Sequence, residues 1–354
     1  MTDKALNDAL TDVAGLRVGH AQLPGEGALS GTTVVLAPEG GAVAAVDVRG
    51  GGPGTRETDA LDPRNLVQRI DAIVLTGGSA YGLDSASGVM AWLEEQGRGV
   101  SVGPDRGHVV PVVPAACLFD LGRGGDWRAR PDASTGRAAV EAAALTEPFT
   151  AVEEGAVGAG TGAVVGGLKG GVGTASTVLA DGTTVAALVA VNAVGSAFDP
   201  DSGELYGQHF TGDRSAAPPP EVHAAALRRL SGALEHGNPT PLNTTLAVVA
   251  TDAALNRAQA HKLAGTAHDG IARAVRPVHL LNDGDTVFAL ATGTRQLGTH
   301  PLALNTVLAA GADVVTRAIV RAVLTARSVA GPGGDFPSYG DLYGRGDHQD
   351  EELD

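Results

Sequence analysis

The chain has little of several things that common functional classes need. Cys117 is the single cysteine among 354 residues, so neither an internal disulfide nor a cysteine-based zinc site can form. Lysine and arginine number 25 against 40 acidic residues, giving a net charge of −15. This balance disfavours binding to nucleic-acid phosphates and to anionic membrane surfaces. Aromatic residues are 3% of the chain, so a core must be built from Ala, Val and Leu.

Long apolar runs are also missing. The first twelve residues, MTDKALNDALTD, are acidic and lack the hydrophobic stretch of a secretory signal. Residues 182–198 are uncharged, but Thr, Asn and Gly interrupt them, and the segment is too short and too polar for a transmembrane helix. We therefore expect a cytoplasmic protein without a membrane or nucleic-acid partner.

The residues that are present predict one α/β domain over 1–354. Glycine is abundant at 51 residues but shows no three-residue period, which excludes a collagen-like chain. Hairpins alternating with helix pairs favour stacked sheets covered by helices over a doubly wound parallel sheet. The acidic segment 344–354 is predicted to be disordered. The principal predicted elements are hairpins at 32–37/42–48 and 174–179/183–191, strands at 71–76, 244–251 and 286–291, and helices at 135–145, 221–234 and 304–326.

The segment with the most chemical content is NTTLAVVATD at 243–252, where hydroxyl residues open an apolar strand after the Pro-bearing loop 237–242. Taken alone, threonine's high β propensity explains it as an ordinary strand edge. The functional alternative is self-cleavage, in which the Thr244 hydroxyl attacks the carbonyl of Asn243. Cleavage would give chains 1–243 and 244–354. The new α-amine of Thr244 could then serve as the base for its own hydroxyl.

Two carboxylates precede the next predicted strand. Asp283 and Asp285 are spaced i and i+2, so in an extended segment they point to the same side. Paired in this way, they could orient an ammonium or a hydroxyl group and move protons. An ordinary Asp-Gly turn is the competing interpretation.

Three further candidates have plainer explanations. Ser79 follows two glycines in a strand–turn–helix setting, but Tyr81 stands where a nucleophile elbow needs glycine. Ser79 is therefore predicted as a helix N-cap, and it is the next candidate nucleophile after Thr244. His261 and His268 lie two turns apart on a predicted helix. For this pair we expect a solvated face and not a metal site.

Five motifs appear in the same order as in the L-aminopeptidase/D-esterase (DmpA-like) family, which includes β-peptidyl aminopeptidases and 6-aminohexanoate (nylon) oligomer hydrolases. The resemblance runs from about residue 10 to residue 330. It is carried by LTDVAGLRVGH at 10–20, LTGGSAYGL at 75–83, GAGTG at 158–162 with KGG at 169–171, VNAVG at 191–195 and VVATDA at 248–253.

This resemblance implies an αββα four-layer sandwich, self-cleavage into two chains and an N-terminal nucleophile, without a metal or organic cofactor. It also implies a homotetramer of αβ units acting on small peptides, β-peptides or 6-aminohexanoate oligomers. The aminopeptidase branch carries Gly-Ser at the cleavage point, followed downstream by a serine and a glutamate. Asn243-Thr244 and the pair Asp283 and Asp285 depart from that pattern and resemble the nylon-oligomer branch.

The resemblance also assigns site residues. Thr244 would be the nucleophile, with Asp283 and Asp285 as its orienting carboxylates. Asn192 would supply an oxyanion-hole amide, and Tyr81 and Lys169 would be further site residues. Other functions compatible with the same sequence are exo-acting aminopeptidase, an acyltransferase of the ornithine acetyltransferase type, and a binding protein that retains the fold.

Overall fold

The computed structural model describes residues 6–105, 107–212, 217–236 and 242–344. The acidic tail beyond Gly344 and nearly all of the loop 237–242 lie outside the described residues. The strands are β1 (Arg17–Gln22), β2 (Gly31–Leu36), β3 (Val43–Val48), β4 (Gly54–Arg56), β5 (Ala72–Thr76), β6 (Val100–Ser101), β7 (Val109–Val110), β8 (Ala115–Cys117), β9 (Val164–Val165), β10 (Leu168–Lys169), β11 (Gly171–Val178), β12 (Thr184–Val191), β13 (Leu246–Ala253), β14 (Thr286–Arg295), β15 (Val329–Gly331) and β16 (Gly334–Phe336).

The helices occupy the segments between these strands. None of the helices in the described residues combines the length and apolarity needed to cross a membrane. They are α1 (Ser79–Gly82), α2 (Ser85–Glu95), α3 (Ala133–Leu145), α4 (Gln208–Thr211), α5 (Pro220–His236), α6 (Arg257–Ala274), α7 (Ala303–Thr325) and α8 (Tyr339–Tyr343).

Two five-stranded sheets form the centre of the molecule. Their strand orders are β1-β2-β5-β8-β4 and β11-β12-β13-β14-β3. Neighbouring strands are antiparallel except at β5/β8 and β13/β14, which are parallel. Three two-stranded sheets, β6/β7, β9/β10 and β15/β16, lie outside this pair.

The alternation of side chains along the strands stacks the sheets into four layers. Val35 of β2 and Leu188 of β12 belong to the cluster between the two sheets. Val34 and Leu36 point the other way, into a cluster with α2 and α3. Val189 likewise faces the helices α6 and α7. Both faces of each sheet are therefore covered, and the predicted αββα sandwich is confirmed.

One of the two predicted hairpins is wrong. The strands at 32–37 and 42–48 correspond to β2 and β3, but these lie in different sheets. β2 pairs with β1 and β5, whereas β3 pairs with β14. The short glycine-containing connection between them carries the chain from one sheet to the other. The second hairpin is confirmed, because β11 and β12 pair over their whole length.

The topology of the second sheet brings three distant segments to one edge. β13 and β14 are parallel, so the residues that precede them lie side by side. β12 is antiparallel to β13, so the residue that follows it arrives at the same edge. Thr244 lies two residues before β13, Asp283 and Asp285 precede β14, and Asn192 follows β12.

Candidate active site

The Asn243–Thr244 peptide lies at this edge in a buried, hydrogen-bonded position. Thr244 is 4% exposed, and its backbone N–H donates to the Asn192 carbonyl oxygen at 2.7 Å. Asn243 forms a parallel bridge with Asp283. The Thr244 hydroxyl is hydrogen-bonded to the carbonyl oxygen of Asn243 and accepts a hydrogen bond from the Gly284 N–H at 3.1 Å. The hydroxyl predicted as nucleophile is thus in contact with the peptide it would attack.

The two aspartates flank the glycine that contacts the hydroxyl. Asp285 accepts the Thr245 N–H on Oδ1 at 2.8 Å, and on Oδ2 the backbone N–H of His279 at 3.1 Å and its Nδ1–H at 2.7 Å. Asp283 accepts the Leu280 N–H at 3.0 Å. Burial raises the pKa of Asp283, and the neighbouring Asp285 raises it further. The carboxylates therefore fix the backbone around Thr244, while Gly284 makes the direct contact with its hydroxyl.

Asn192 contributes its backbone carbonyl to Thr244. Its side-chain Oδ1 accepts Nη1–H of Arg123 at 2.5 Å and the Val164 N–H at 3.0 Å. The side-chain N–H₂, which was predicted to stabilise an oxyanion, donates to the Phe119 carbonyl at 3.3 Å. The side-chain amide of Asn192 is thus turned to Phe119, and its backbone carbonyl holds the Thr244 nitrogen.

Sequence reasoning missed Arg123, which connects the two asparagines. Besides Asn192, its Nη1 reaches the Gly162 carbonyl at 2.7 Å, and its Nη2 donates to Asn243 Oδ1 at 2.6 Å. Burial lowers the pKa of Arg123 to about 10, so it stays charged at neutral pH. A single arginine among glycines matches no sequence motif, so only its position in the fold shows that Arg123 belongs to the site.

Lys169 is fully buried in the same part of the fold. Its Nζ donates to the carbonyls of Gly160, Ala163 and Gly170 at 3.0, 3.1 and 2.8 Å, which matches the three N–H donors of an ammonium. Burial lowers its pKa to about 7, and the positive charge of Arg123 contributes. With its donors engaged in this way, Lys169 holds the glycine-rich segment that carries Val164.

Tyr81 is placed at the surface. Its side chain is 59% exposed and lies beneath the guanidinium of Arg130, 3.9 Å from the ring centroid. The nearby Ser79 begins α1 with φ of 52°, and Gly78 occupies the N-cap position without a side-chain cap bond. The predicted capping role of Ser79 is therefore wrong, because the turn places a glycine at that position.

The histidine pair is divided between surface and core. His261 is exposed, as predicted, but His268 is buried and donates Nε2–H to the Asp47 carbonyl at 3.0 Å. Its ring lies edge-on to His279 at 4.9 Å, and burial lowers its pKa to about 4. The solvated-face prediction is wrong for His268, since helix α6 turns that residue towards β3. Within the described residues, no three His, Cys, Asp or Glu side chains come together as metal ligands would.

A cavity of about 620 Å³ opens beside Asn243, a volume typical of small-molecule sites. Its lining is mostly apolar, including Leu121, Trp127 and Phe336, with Arg123 and Arg276 as its cationic groups. Of the residues predicted for the site, Thr244, Asn192, Asp283, Asp285, Tyr81 and Lys169 are not among its lining residues. The cavity therefore reaches the Asn243–Thr244 peptide from the side of Asn243.

Comparison with solved structures identifies the class of protein. A beta-aminopeptidase from Burkholderia sp. superposes with a TM-score of 0.70 at 26% identity, covering 97% of this chain and 94% of that one. An L-aminopeptidase D-Ala-esterase/amidase from Ochrobactrum anthropi, described as a variant of the Ntn hydrolase fold, superposes with a TM-score of 0.69 at 22% identity, covering 98% and 96%. The fold is that of the N-terminal-nucleophile hydrolases, and the chain is an amide or peptide hydrolase.

Sequence comparison then gives the family. The profile of peptidase family S58 matches residues 8–336, so the chain belongs to this family, as its motifs predicted. A protein named "uncharacterized aminopeptidase" from Mycobacterium tuberculosis is 48% identical over 352 residues, covering 95% of this chain and 98% of the relative. A 6-aminohexanoate-oligomer endohydrolase from Kocuria sp. is 30% identical over 298 residues, covering 82% and 76%.

Proposed function

We propose that the chain cuts itself between Asn243 and Thr244 and that the freed Thr244 then hydrolyses amide bonds through an acyl-enzyme. The observation that carries this proposal is the contact of the Thr244 hydroxyl with the carbonyl of Asn243, with the Gly284 N–H donating to the same hydroxyl at 3.1 Å. Small peptides, β-peptides and 6-aminohexanoate oligomers are the substrates that the named relatives support.

The self-cleavage step is an N-to-O acyl shift. Thr244 Oγ1 bonds to the Asn243 carbonyl carbon, the C–N bond breaks, and the hydroxyl proton passes to the departing nitrogen, which becomes the α-amine of Thr244. Water then adds to the ester and releases Asn243 as a carboxylate. The Asn192 carbonyl, which accepts the Thr244 N–H at 2.7 Å, is positioned to hold the new amine.

Turnover repeats the same chemistry on a substrate amide. The α-amine takes the hydroxyl proton, Oγ1 attacks the substrate carbonyl, and the proton passes to the leaving amine. Water then hydrolyses the ester. Asp283 and Asp285 act by holding the backbone around Thr244, Asp283 through the Leu280 N–H and Asp285 through the N–H groups of Thr245 and His279. The proposal assigns no proton transfer to Tyr81 or Lys169, because Tyr81 is exposed and stacks beneath Arg130 and Lys169 donates to three carbonyls.

A denaturing gel with intact mass tests self-cleavage directly. Purified protein should contain chains 1–243 and 244–354, and Edman sequencing of the smaller chain should begin Thr-Thr-Leu-Ala-Val. Any other start would overturn the assignment. Hydrolysis of an amide substrate should proceed without an added amine acceptor; a strict requirement for an acceptor would indicate an acyltransferase instead.

Replacing the nucleophile separates chemistry from folding. Thr244→Ala should fold, stay whole and lose amidase activity to background, since positioning cannot replace the covalent step. Thr244→Ser keeps a hydroxyl and should process partially, with slower turnover because the methyl group that restricts the rotamer is gone. Ser79→Ala removes the alternative hydroxyl and should mature normally. If Thr244→Ala still cleaves itself while Ser79→Ala does not, the nucleophile is Ser79.

A further inference from the structure

Arg123 is anchored on one side and faces the scissile residue on the other. Nη1 is held by the Gly162 carbonyl and the Asn192 side chain, whereas Nη2 donates to the side-chain oxygen of Asn243 at 2.6 Å. Both Arg123 and Asn243 line the 620 Å³ cavity. The guanidinium therefore recognises an oxygen acceptor on the residue whose carbonyl is attacked.

The chemistry of self-cleavage makes this contact informative about substrates. The ester formed by the acyl shift carries an asparaginyl group on Thr244 Oγ1. That ester is chemically the same species as an acyl-enzyme formed from a substrate with asparagine on the acyl side of its scissile amide. A group that holds the Asn243 side chain in the first ester is placed to hold the corresponding group in the second.

We propose that Arg123 is a specificity-determining residue, and that the mature enzyme prefers amides whose acyl residue bears a carbonyl oxygen on its γ-carbon, as asparaginyl and aspartyl compounds do. This inference rests on the proposed function and narrows the substrate classes named there to small peptides, because 6-aminohexanoyl and unsubstituted β-aminoacyl groups carry no oxygen on the γ-carbon. Once Asn243 has been released, the donors of Nη2 face the cavity, and such an oxygen restores the lost hydrogen bond.

The charges around the cavity also favour an acyl residue with an oxygen on its γ-carbon. Arg276 adds a second guanidinium to the lining, and the carboxylate of Asp335 is paired with Arg229. A cationic amine on the β-carbon of the acyl residue would lie near Arg123 and be repelled. A plain methylene chain at the same position would leave the buried donors of Nη2 without an acceptor, which is costly.

The first test compares substrates on the wild-type enzyme. Asparaginyl and leucyl anilides share a leaving group and have side chains of similar size, but the asparaginyl compound carries a carboxamide where the leucyl compound carries two methyl groups. We expect kcat/KM to be about tenfold or more higher for the asparaginyl compound. Equal values, or a preference for the leucyl or a β-aminoacyl anilide, would overturn the specificity while leaving the amidase function intact. A chain that stays uncut and hydrolyses no amide would instead refute the proposed function.

Variants assign the preference to the guanidinium. Arg123→Met keeps most of the side-chain volume and should reduce the asparaginyl-to-leucyl ratio to near one, mainly by lowering kcat/KM for the asparaginyl compound. Arg128→Met, which replaces an exposed arginine of the same loop, is the matched control and should retain the ratio. A ratio that survives in Arg123→Met would refute the role of Arg123.

A processing assay keeps the inference testable if Arg123→Met does not mature. Asn243→Leu removes the same hydrogen bond from the other side and should slow the appearance of the two chains about tenfold. The double variant Arg123→Met/Asn243→Leu should be no slower than Arg123→Met alone, since Arg123→Met already removes the hydrogen bond that Asn243→Leu deletes. Independent, multiplying effects would show that Arg123 does not act through the Asn243 side chain.

Discussion

At the scale of single residues, the candidate site places the Thr244 hydroxyl, proposed as nucleophile, beside carboxyl groups whose burial is unfavourable by itself. Asp283 is 1% exposed and lies beside Asp285, so burial first and the neighbouring charge second raise its pKa in the folded protein. The cost of burying Asp285 is better compensated, because its oxygens accept hydrogen bonds from three N–H donors of Thr245 and His279. Two carboxylates two residues apart therefore differ in what they contribute to stability.

This difference predicts opposite stability effects for two matched variants. The folded pKa of Asp283 is raised, so ionising it at neutral pH destabilises the fold, and Asp283→Asn should raise the Tm by about 1–3 °C at pH 7–8. The gain should shrink as the pH falls and vanish below about 4, where the carboxyl is protonated in the unfolded chain as well. Processing and turnover should nevertheless slow.

Asp285→Asn is the comparison. Its amide would turn N–H donors towards the donors of Thr245 or His279, so the Tm should fall at every pH tested. Thermal scans between pH 4 and pH 8 measure both effects. A loss of stability in Asp283→Asn at pH 8 would contradict the assigned burial cost, and wild-type processing rates in both variants would exclude the two carboxylates from the active site.

At the scale of the elements, backbones pack closely where the chain lacks bulky side chains. Helices α2 and α3 meet at Gly88 and Gly136, where an added Cβ would come within 1.8 Å of the Ala133 and Ser85 carbonyl oxygens, respectively. The 3% aromatic content and the 51 glycines therefore both fit a fold in which backbones pack closely together. The helix pair can approach closely only because both crossing residues lack a side chain.

A pair of glycine variants tests this crossing. Gly136→Ala should lower the free energy of unfolding by about 2–4 kcal/mol, because the new methyl group meets backbone and the helices must separate. Gly232→Ala, in α5, has open space around the new Cβ and should raise the free energy of unfolding by about 0.5–1 kcal/mol. Urea unfolding of both variants gives the values. Equal effects at the two positions would contradict the close helix contact.

At the scale of the whole molecule, the two proposed chains are interleaved. Residues 244–354 would supply β13 and β14, which lie between β12 and β3 of the other chain in the same sheet. They would also supply α6 and α7, which cover that sheet. Cutting the peptide before Thr244 would break no strand pairing in the second sheet, so the chains should remain associated.

The interleaving predicts different results under native and denaturing conditions. Size-exclusion chromatography with light scattering should show one species containing both chains, whereas a denaturing gel should separate them. We propose that this species is a tetramer of αβ units, as the family resemblance implies. A monomeric mass at micromolar concentration would contradict the tetramer, and loss of the smaller chain from the native peak would contradict the interleaved sheet.

The sequence by itself determined the family and the layer architecture, and it predicted the site. Five ordered motifs led through the family resemblance to the αββα sandwich, hairpins alternating with helix pairs favoured stacked sheets covered by helices, and the residues at 243–244 and 283–285 were predicted as the junction and its carboxylates. These features are short motifs and their order along the chain, so they can be recognised from the sequence without the structure. The interpretation failed where partners are distant in sequence, as for β2 and β3, whose local pattern resembles a hairpin although each pairs in another sheet.

The tertiary structure alone decided which atoms meet at the site. Asn192 presents its carbonyl to Thr244 and turns its amide to Phe119, and Lys169 is engaged by three backbone carbonyls. Arg123 lies 120 residues from Asn243 in the chain, yet contacts its side chain at 2.6 Å. Such contacts depend on how the two sheets and their loops pack. Hydrogen bonds between residues so far apart follow from packing, whereas sequence patterns report on the neighbours along one element.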